Sequence, residues 1–250
     1  MWPLSRAFTA KSKLDAEPLL PIIVMVDGEA LAVMLKRHAK ARRMTLRQSR
    51  DGEQFVLTVP RRHSRKAAEA FLNASAGWIQ KTRSKLPAVL PATDGGRILL
   101  RGEHYAIAAT GKLRGLVSVD DETRIIAVPG APSHMKRRLT EWLKREAEKD
   151  LHEASRRYAA AMNVTVKRLG VRDQKSRWGS CNTDGVLSYS WRLVMAPSMV
   201  LDYVAAHEVA HLREMNHGPR FWRLVLNHCT SAQAAKEWLK QHGQTLHRMI

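Results

Sequence analysis

The segment His207-Glu208-Val209-Ala210-His211, with His217 six residues further on, constrains this chain more than any other feature. Two histidines four apart project from one face of a helix, one turn from each other. That spacing lets both imidazoles reach one metal ion, and zinc is the usual occupant. Glu208 can lean over the metal and accept a proton from its bound water. A third ligand must come from nearby, and His217 is well placed. Gly218-Pro219 follows it directly, a signal for one helix to stop and another to start. Ser198 after Pro197 reads as an N-cap. Val200, Leu201, Val204, Ala205, Val209 and Leu212 make the segment apolar on most faces. Such a helix is expected to be buried, and three histidines beside a glutamate are costly to bury without a purpose. Hydrogen-bonded core histidines are the bland alternative, which suits a lone histidine better than this cluster.

The chain has 250 residues, 44% hydrophobic and 26% charged, enough for a full core in one large domain or two small ones. No apolar run approaches the ~20 residues of a membrane span. With Cys181 and Cys229 as its two cysteines, a disulfide framework is not expected, and a reducing cytoplasm fits. The formal charge of +19 attracts polyanions: nucleic acid, nucleotides, acidic proteins or anionic surfaces. Charge alone names no substrate.

Patterning gives three stretches: a tail over 1–20, a basic β-rich half over 21–130 and a second half over 131–250. Strands are expected at 22–26, at the end of the basic segment 35–47, where Arg43, Thr45 and Arg47 alternate with Met44 and Leu46, and at 55–59. A helix is expected from Ser64 to about Leu86, then a break at Pro87 and Pro91, then short strands at 97–100, 105–109 and 124–128. Pro129-Gly130-Ala131-Pro132 is the strongest internal boundary. A long helix follows, capped by Ser133, with the stripe Met135, Leu139, Trp142, Leu143, Ala147, Leu151, Ala154 and Tyr158. Strands at 164–172, 177–181 and 186–193 precede the histidine helix. Helices over 219–227 and 231–242, the last closed by Gly243, end the chain.

Several pieces together resemble the YgjP-like metallopeptidases, relatives of the SprT-like and WSS-type minimal zincins. They are Ser176-Arg177-Trp178-Gly179-Ser180-Cys181, then Trp191-Arg192-Leu193 with Pro197, then Tyr203-Val204 leading into His207-Glu208, then Asn216-His217-Gly218-Pro219-Arg220-Phe221-Trp222. The basic strand, Thr58-Val59-Pro60 and Trp78-Ile79 match the family's N-terminal half, so the resemblance covers roughly residues 30–243. It implies an α+β fold with a zincin-like active-site helix pair packed on a small antiparallel sheet. It also implies that His207, His211 and His217 are zinc ligands and Glu208 is the catalytic carboxylate.

Other residues admit plainer roles beside functional ones. Arg177 or Arg192 can hold an anionic substrate group or stabilise a developing oxyanion, and each is equally at home in a structural ion pair. Trp178 and Trp191 are expected in the core. Cys181 tempts as a fourth ligand, but three histidines suffice and leave the fourth position to water, so a small buried thiol is expected. Phe221 and Trp222 are expected to pack the helix after the ligand turn, and His228, His242 and His247 to lie at the surface or at caps.

The expected function is zinc-dependent hydrolysis, a metallopeptidase acting on a peptide or protein through a zinc-bound water and Glu208 as general base. One alternative is a metal-dependent hydrolase of nucleotide phosphoanhydrides, disfavoured because such chemistry normally uses magnesium on oxygen ligands. Another is a nucleic-acid-binding protein with a structural zinc, which would not need Glu208. The basic half is a candidate for non-specific nucleic acid or nucleotide binding. Oligomeric state is not legible in the sequence.

Overall fold

The computed structural model describes residues 20–49, 52–85, 92–174 and 177–250. All of the expected tail except Leu20, the prolines at 87 and 91, and Ser176 lie outside the described residues. Contacts divide the chain into two compact units, one of residues 20–49 and 53–85, the other of Gly52, 92–174 and 177–250.

The first unit is a four-stranded sheet with two helices on one face. Its strands are β1 (Ile22–Val26), β2 (Glu29–His38), β3 (Thr45–Gln48) and β4 (Phe55–Pro60), in the order β1-β2-β4-β3. Asp27 and Gly28, at φ 54° and 79°, make the tight turn between β1 and β2. Phe55, Leu57 and Val59 alternate inward along β4 and meet Val33, Leu35, Leu72 and Ile79 in the core. Leu46 lies opposite Leu57, while Thr45 and Arg47 sit on the other face of the sheet, as the alternation in the sequence requires. Ser64 caps α1 (Arg65–Ala74) by accepting the Ala67 N–H. The helix expected to run on to residue 86 is broken at Ser75, whose hydroxyl donates to the Phe71 carbonyl at 2.8 Å, and it restarts as α2 (Ala76–Arg83).

The second unit carries the histidines. Strands β5 (Arg97–Leu100), β6 (Glu103–Ala109), β7 (Ser118–Asp120) and β8 (Ile125–Val128) form a sheet in the order β5-β6-β8-β7. Pro129-Gly130-Ala131 leads into α3 (Pro132–Ala161). Pro132 occupies the first helical turn and Ala131 the N-cap, so Ser133 is not the cap. All eight stripe residues of α3 are buried. Asn163, at φ 52°, ends the helix in the left-handed conformation that asparagine tolerates. Strands β9 (Arg168–Arg172), β10 (Gly179–Cys181) and β11 (Val186–Ser190) follow in the order β10-β11-β9. This small sheet is mixed, not antiparallel throughout: β11 is antiparallel to β10 and parallel to β9. Trp191–Met195 is a buried 3-10 turn, not the end of a strand.

The tip of the β5–β6 hairpin fixes the start of the histidine helix, α4 (Ser198–Ala210). Arg101 and Gly102 turn the hairpin at φ 50° and 86°, and their N–H groups donate to the carbonyls of Val194 and Met195. A Cβ at Gly102 would lie 2.9 Å from Pro197, so only glycine permits this approach. Pro197, not Ser198, precedes the first helical residue, with no side-chain cap. Two more helices complete the unit, α5 (Pro219–His228) and α6 (Ala232–Arg248). Helix α6 runs through Gly243 and does not stop there. A Cβ at that position would meet the Trp178 ring at 3.0 Å. His247, expected at the surface, is buried beside Trp178 with ring centres 4.8 Å apart. Among the described residues no helix is long and apolar enough to cross a membrane.

Candidate metal centre

Helix α4 is apolar almost all round, and nine of its thirteen residues are buried. His207 and His211 emerge from it one turn apart. The backbone leaves the helix at His211, and the chain returns through Asn216, His217 and Gly218 into α5, where Pro219 takes the first helical position. This return brings His217 back over α4. The Nε2 atoms of His207 and His217 lie 3.0 Å apart, and one ligand atom from each of His207, His211 and His217 falls within 4.8 Å of the others.

The donor set fits a tetrahedral metal with one position left open. Zinc–nitrogen bonds of about 2.0–2.1 Å at tetrahedral angles put two ligand nitrogens about 3.3 Å apart. His211 Nδ1 lies 3.1 Å from the Glu214 carbonyl. An N–H donated there fixes the tautomer and leaves Nε2 as the lone-pair atom. Burial is the main influence holding the His207 pKa down to about 4, helped by the other two histidines and Lys236. His211 is also lowered, again first by burial. Both are therefore neutral imidazoles at neutral pH, the form that binds metal.

Phe221 forms the floor. It is fully buried, stacks on His211 at 4.5 Å and meets the rings of His207 and His217 at 4.9 and 4.7 Å. Trp222 stands 5.9 Å from both His207 and His217. The sequence placed these aromatics behind the ligand turn. Their contact with all three imidazoles depends on how α5 folds back, which no local pattern encodes.

Glu208 is buried beside β10, and burial pushes its carboxyl up to about 7, an effect partly opposed by the Arg177 charge. The strand backbone lies directly against it: a Cβ at Gly179 would sit 2.6 Å from Glu208 Cγ and Oε1. Gly179 was not singled out from the sequence beyond its place in the family-like motif. Cys181, at the far end of β10, has its thiol pushed up to about 11 by burial and by the Glu208 charge. It is half-buried and its Sγ lies 3.4 Å from the Asn182 carbonyl, outside the histidine group.

The two arginines part company. Arg177 is exposed, two residues before Gly179, and acts on Glu208 through its charge. Arg192 is buried in the 3-10 turn, where it pairs with Asp173, donates to the Ile250 carbonyl at 3.2 Å and lies over the Trp191 ring. The structure therefore gives Arg192 the ion-pair role.

A family model described as the YgjP-like metallopeptidase domain matches residues 42–242. A comparison with curated proteins gives no match. The family match takes in β3, β4 and both helices of the first unit and the whole histidine centre, so the chain belongs to the YgjP-like metallopeptidases.

Proposed function

We propose that this chain is a zinc-dependent peptidase with His207, His211 and His217 as metal ligands and Glu208 as general base. The observation that carries the reading is the convergence of three imidazoles, within 4.8 Å of one another, beside a buried carboxylate on the same helix. A zinc ion held there supplies Lewis acidity that lowers the pKa of a coordinated water to about 7 and polarises the substrate carbonyl. Glu208, one residue from His207 and held in place by the β10 backbone, accepts the proton of the attacking water. It then returns that proton to the departing amine nitrogen. His207 and His211, with their lone pairs directed to the metal, would not compete for it. Zinc is favoured over magnesium because all three donors are imidazole nitrogens. The test is metal analysis with activity on a peptide panel. His207→Ala/His211→Ala should strip the metal, whereas Glu208→Gln should keep about one zinc per chain and lose at least ~100-fold in kcat/KM. Full zinc occupancy in the double variant would refute the ligand assignment.

A second reading concerns the first unit and rests on a cleft there of about 350 Å³, lined by Arg43, Met44, Leu46, Phe71 and Trp78. Lys36, Arg42, Arg43 and Arg47 are exposed, and Trp78 is 46% exposed. Arg43 beside the open Trp78 ring suits single-stranded nucleic acid, whose bases stack on aromatic faces, while Arg47 on the opposite face of the sheet adds only to the overall field. Arg42→Glu/Arg43→Glu/Arg47→Glu should abolish binding of labelled oligonucleotide while zinc content stays at the wild-type value. Absence of binding at low salt in the unaltered protein sinks this reading.

A further inference from the structure

Two exposed cations stand beside the histidine centre on elements other than the histidine helix. One is Lys236 on α6, exposed, with Nζ 5.1 Å from the centre of the Trp222 ring. Trp222 in turn stands 5.9 Å from His207 and His217. The other is Arg177, exposed just before the β10 residue that abuts Glu208. They approach from different elements, Lys236 past the rings of His207 and His217, Arg177 past Glu208. The nearby carboxylate, Glu208, is the candidate base and is buried, so it does not neutralise the approach.

We propose that the histidine centre selects peptides with an acidic side chain beside the scissile bond, the substrate carboxylate pairing with Lys236 above Trp222 or with Arg177. The assignment rests on the peptidase reading and adds its substrate class. Trp222 contributes by holding Lys236 in place, since an ammonium over an indole face is attracted to it. A solvent-exposed ion pair of this kind supplies a modest, salt-sensitive preference, and each cation is expected to give roughly threefold to fivefold.

The experiment uses the full-length chain and two matched sets of quenched-fluorescence peptides, with Glu or its isostere Gln at each position flanking the cleaved bond. The wild type should favour Glu over Gln by about fivefold to tenfold at low salt at one flanking position, and that ratio should shrink at high salt. Lys236→Met, which keeps the stem over Trp222, should lower the ratio about threefold, and Lys236→Glu should invert it. Lys240→Met, one turn further along α6, should leave it unaltered. As a readout independent of turnover, Glu208→Gln should bind a labelled Glu peptide more tightly than its Gln twin, and Lys236→Glu in that background should reverse the difference. Cleavage of both peptide sets with no Glu preference overturns this assignment and leaves the peptidase reading standing. Absence of cleavage of any peptide, with zinc present, overturns both.

Discussion

Replacing Gly179 with alanine tests whether β10 sets the position of Glu208. The added Cβ would lie 2.6 Å from Glu208 Cγ and Oε1 and 2.8 Å from Cδ. Ordinary carbon contacts settle near 3.5–4.0 Å, so strand and carboxylate must separate by about 1 Å. Neither side yields freely. Gly179 is paired with Tyr189 on β11, and the Tyr189 hydroxyl is tied to Ser155 of α3 at 3.1 Å. Glu208 is only 6% exposed. Overpacking of this kind costs about 1–3 kcal/mol of stability, which lowers Tm by roughly 2–4 °C per kcal/mol in a unit of this size. The larger effect should be on turnover, because a misplacement of about 1 Å at the reacting centre costs about 100-fold. All three nearest atoms belong to Glu208 and none to a histidine, so zinc content should stay at one per chain. The assay combines kcat/KM on a cleaved peptide, metal analysis and thermal melting of one preparation. Wild-type kcat/KM in Gly179→Ala refutes the reasoning, and loss of zinc with it would move the effect from the base to the ligands.

Cys181→Ser should keep its zinc and most of its activity, because a thiol pushed up to about 11 is not a thiolate at neutral pH; metal loss on titrating the variant with chelator at wild-type-saturating zinc would contradict this. Phe221→Leu removes the ring shared by the three imidazoles while keeping an apolar floor, and competition with a zinc chelator should show an affinity about tenfold weaker. In metal-free protein, His207 held near 4 against 6.5 loses stability as pH falls through 6.5, while Glu208 held near 7 against 4.5 loses stability as pH rises through 4.5, each by about 3 kcal/mol in full. Urea midpoints of metal-free Glu208→Gln should therefore rise more steeply than those of the metal-free wild type between pH 4.5 and 6.5, by about 3 kcal/mol over that window, since His207 and His211 act alike in both; parallel profiles for the two proteins would show that Glu208 is not protonated by burial.

What the sequence made legible was local. The α3 stripe follows from a period of 3.6 alone, and the structure buries every residue of it. The turn from His211 back through His217 follows from Gly218-Pro219, whose chemistry does not depend on the rest of the fold. The misreadings at Gly243 and at Trp191-Arg192-Leu193 involve a distant partner, whereas the break at Ser75 is local. Gly243 looked like a stop, because glycine usually ends a helix, yet α6 continues and uses the missing Cβ to admit Trp178. Trp191-Arg192-Leu193 looked like the end of a strand, but burial of the whole segment is satisfied by a 3-10 turn with Arg192 on Asp173. Ser75 looked like an ordinary helix residue until its hydroxyl found the Phe71 carbonyl. At the centre itself, the histidines and Glu208 stood out from spacing, whereas Gly179 and Lys236 come from β10 and α6. Their relation to α4 is set by tertiary packing and leaves no periodic trace.

That division also explains why the centre is arranged against its own stability. Packing alone would not place three imidazoles with ring centres 4.6–5.0 Å apart beside a buried carboxyl. Two Nε2 atoms 3.0 Å apart can share one proton at most, and burial discourages a second charge. On the proposed function, a divalent ion held by His207, His211 and His217 would take the place of that proton, so the interactions that strain the metal-free chain would be the ones that bind metal. By mass action, an ion bound only by the folded chain adds about 2.7 kcal/mol at a hundred times its Kd. The hairpin tip on Pro197, the Phe221 floor and the β10 backbone at Glu208 hold these groups where they would not settle unaided, as a site preorganised for one ion and one proton transfer requires.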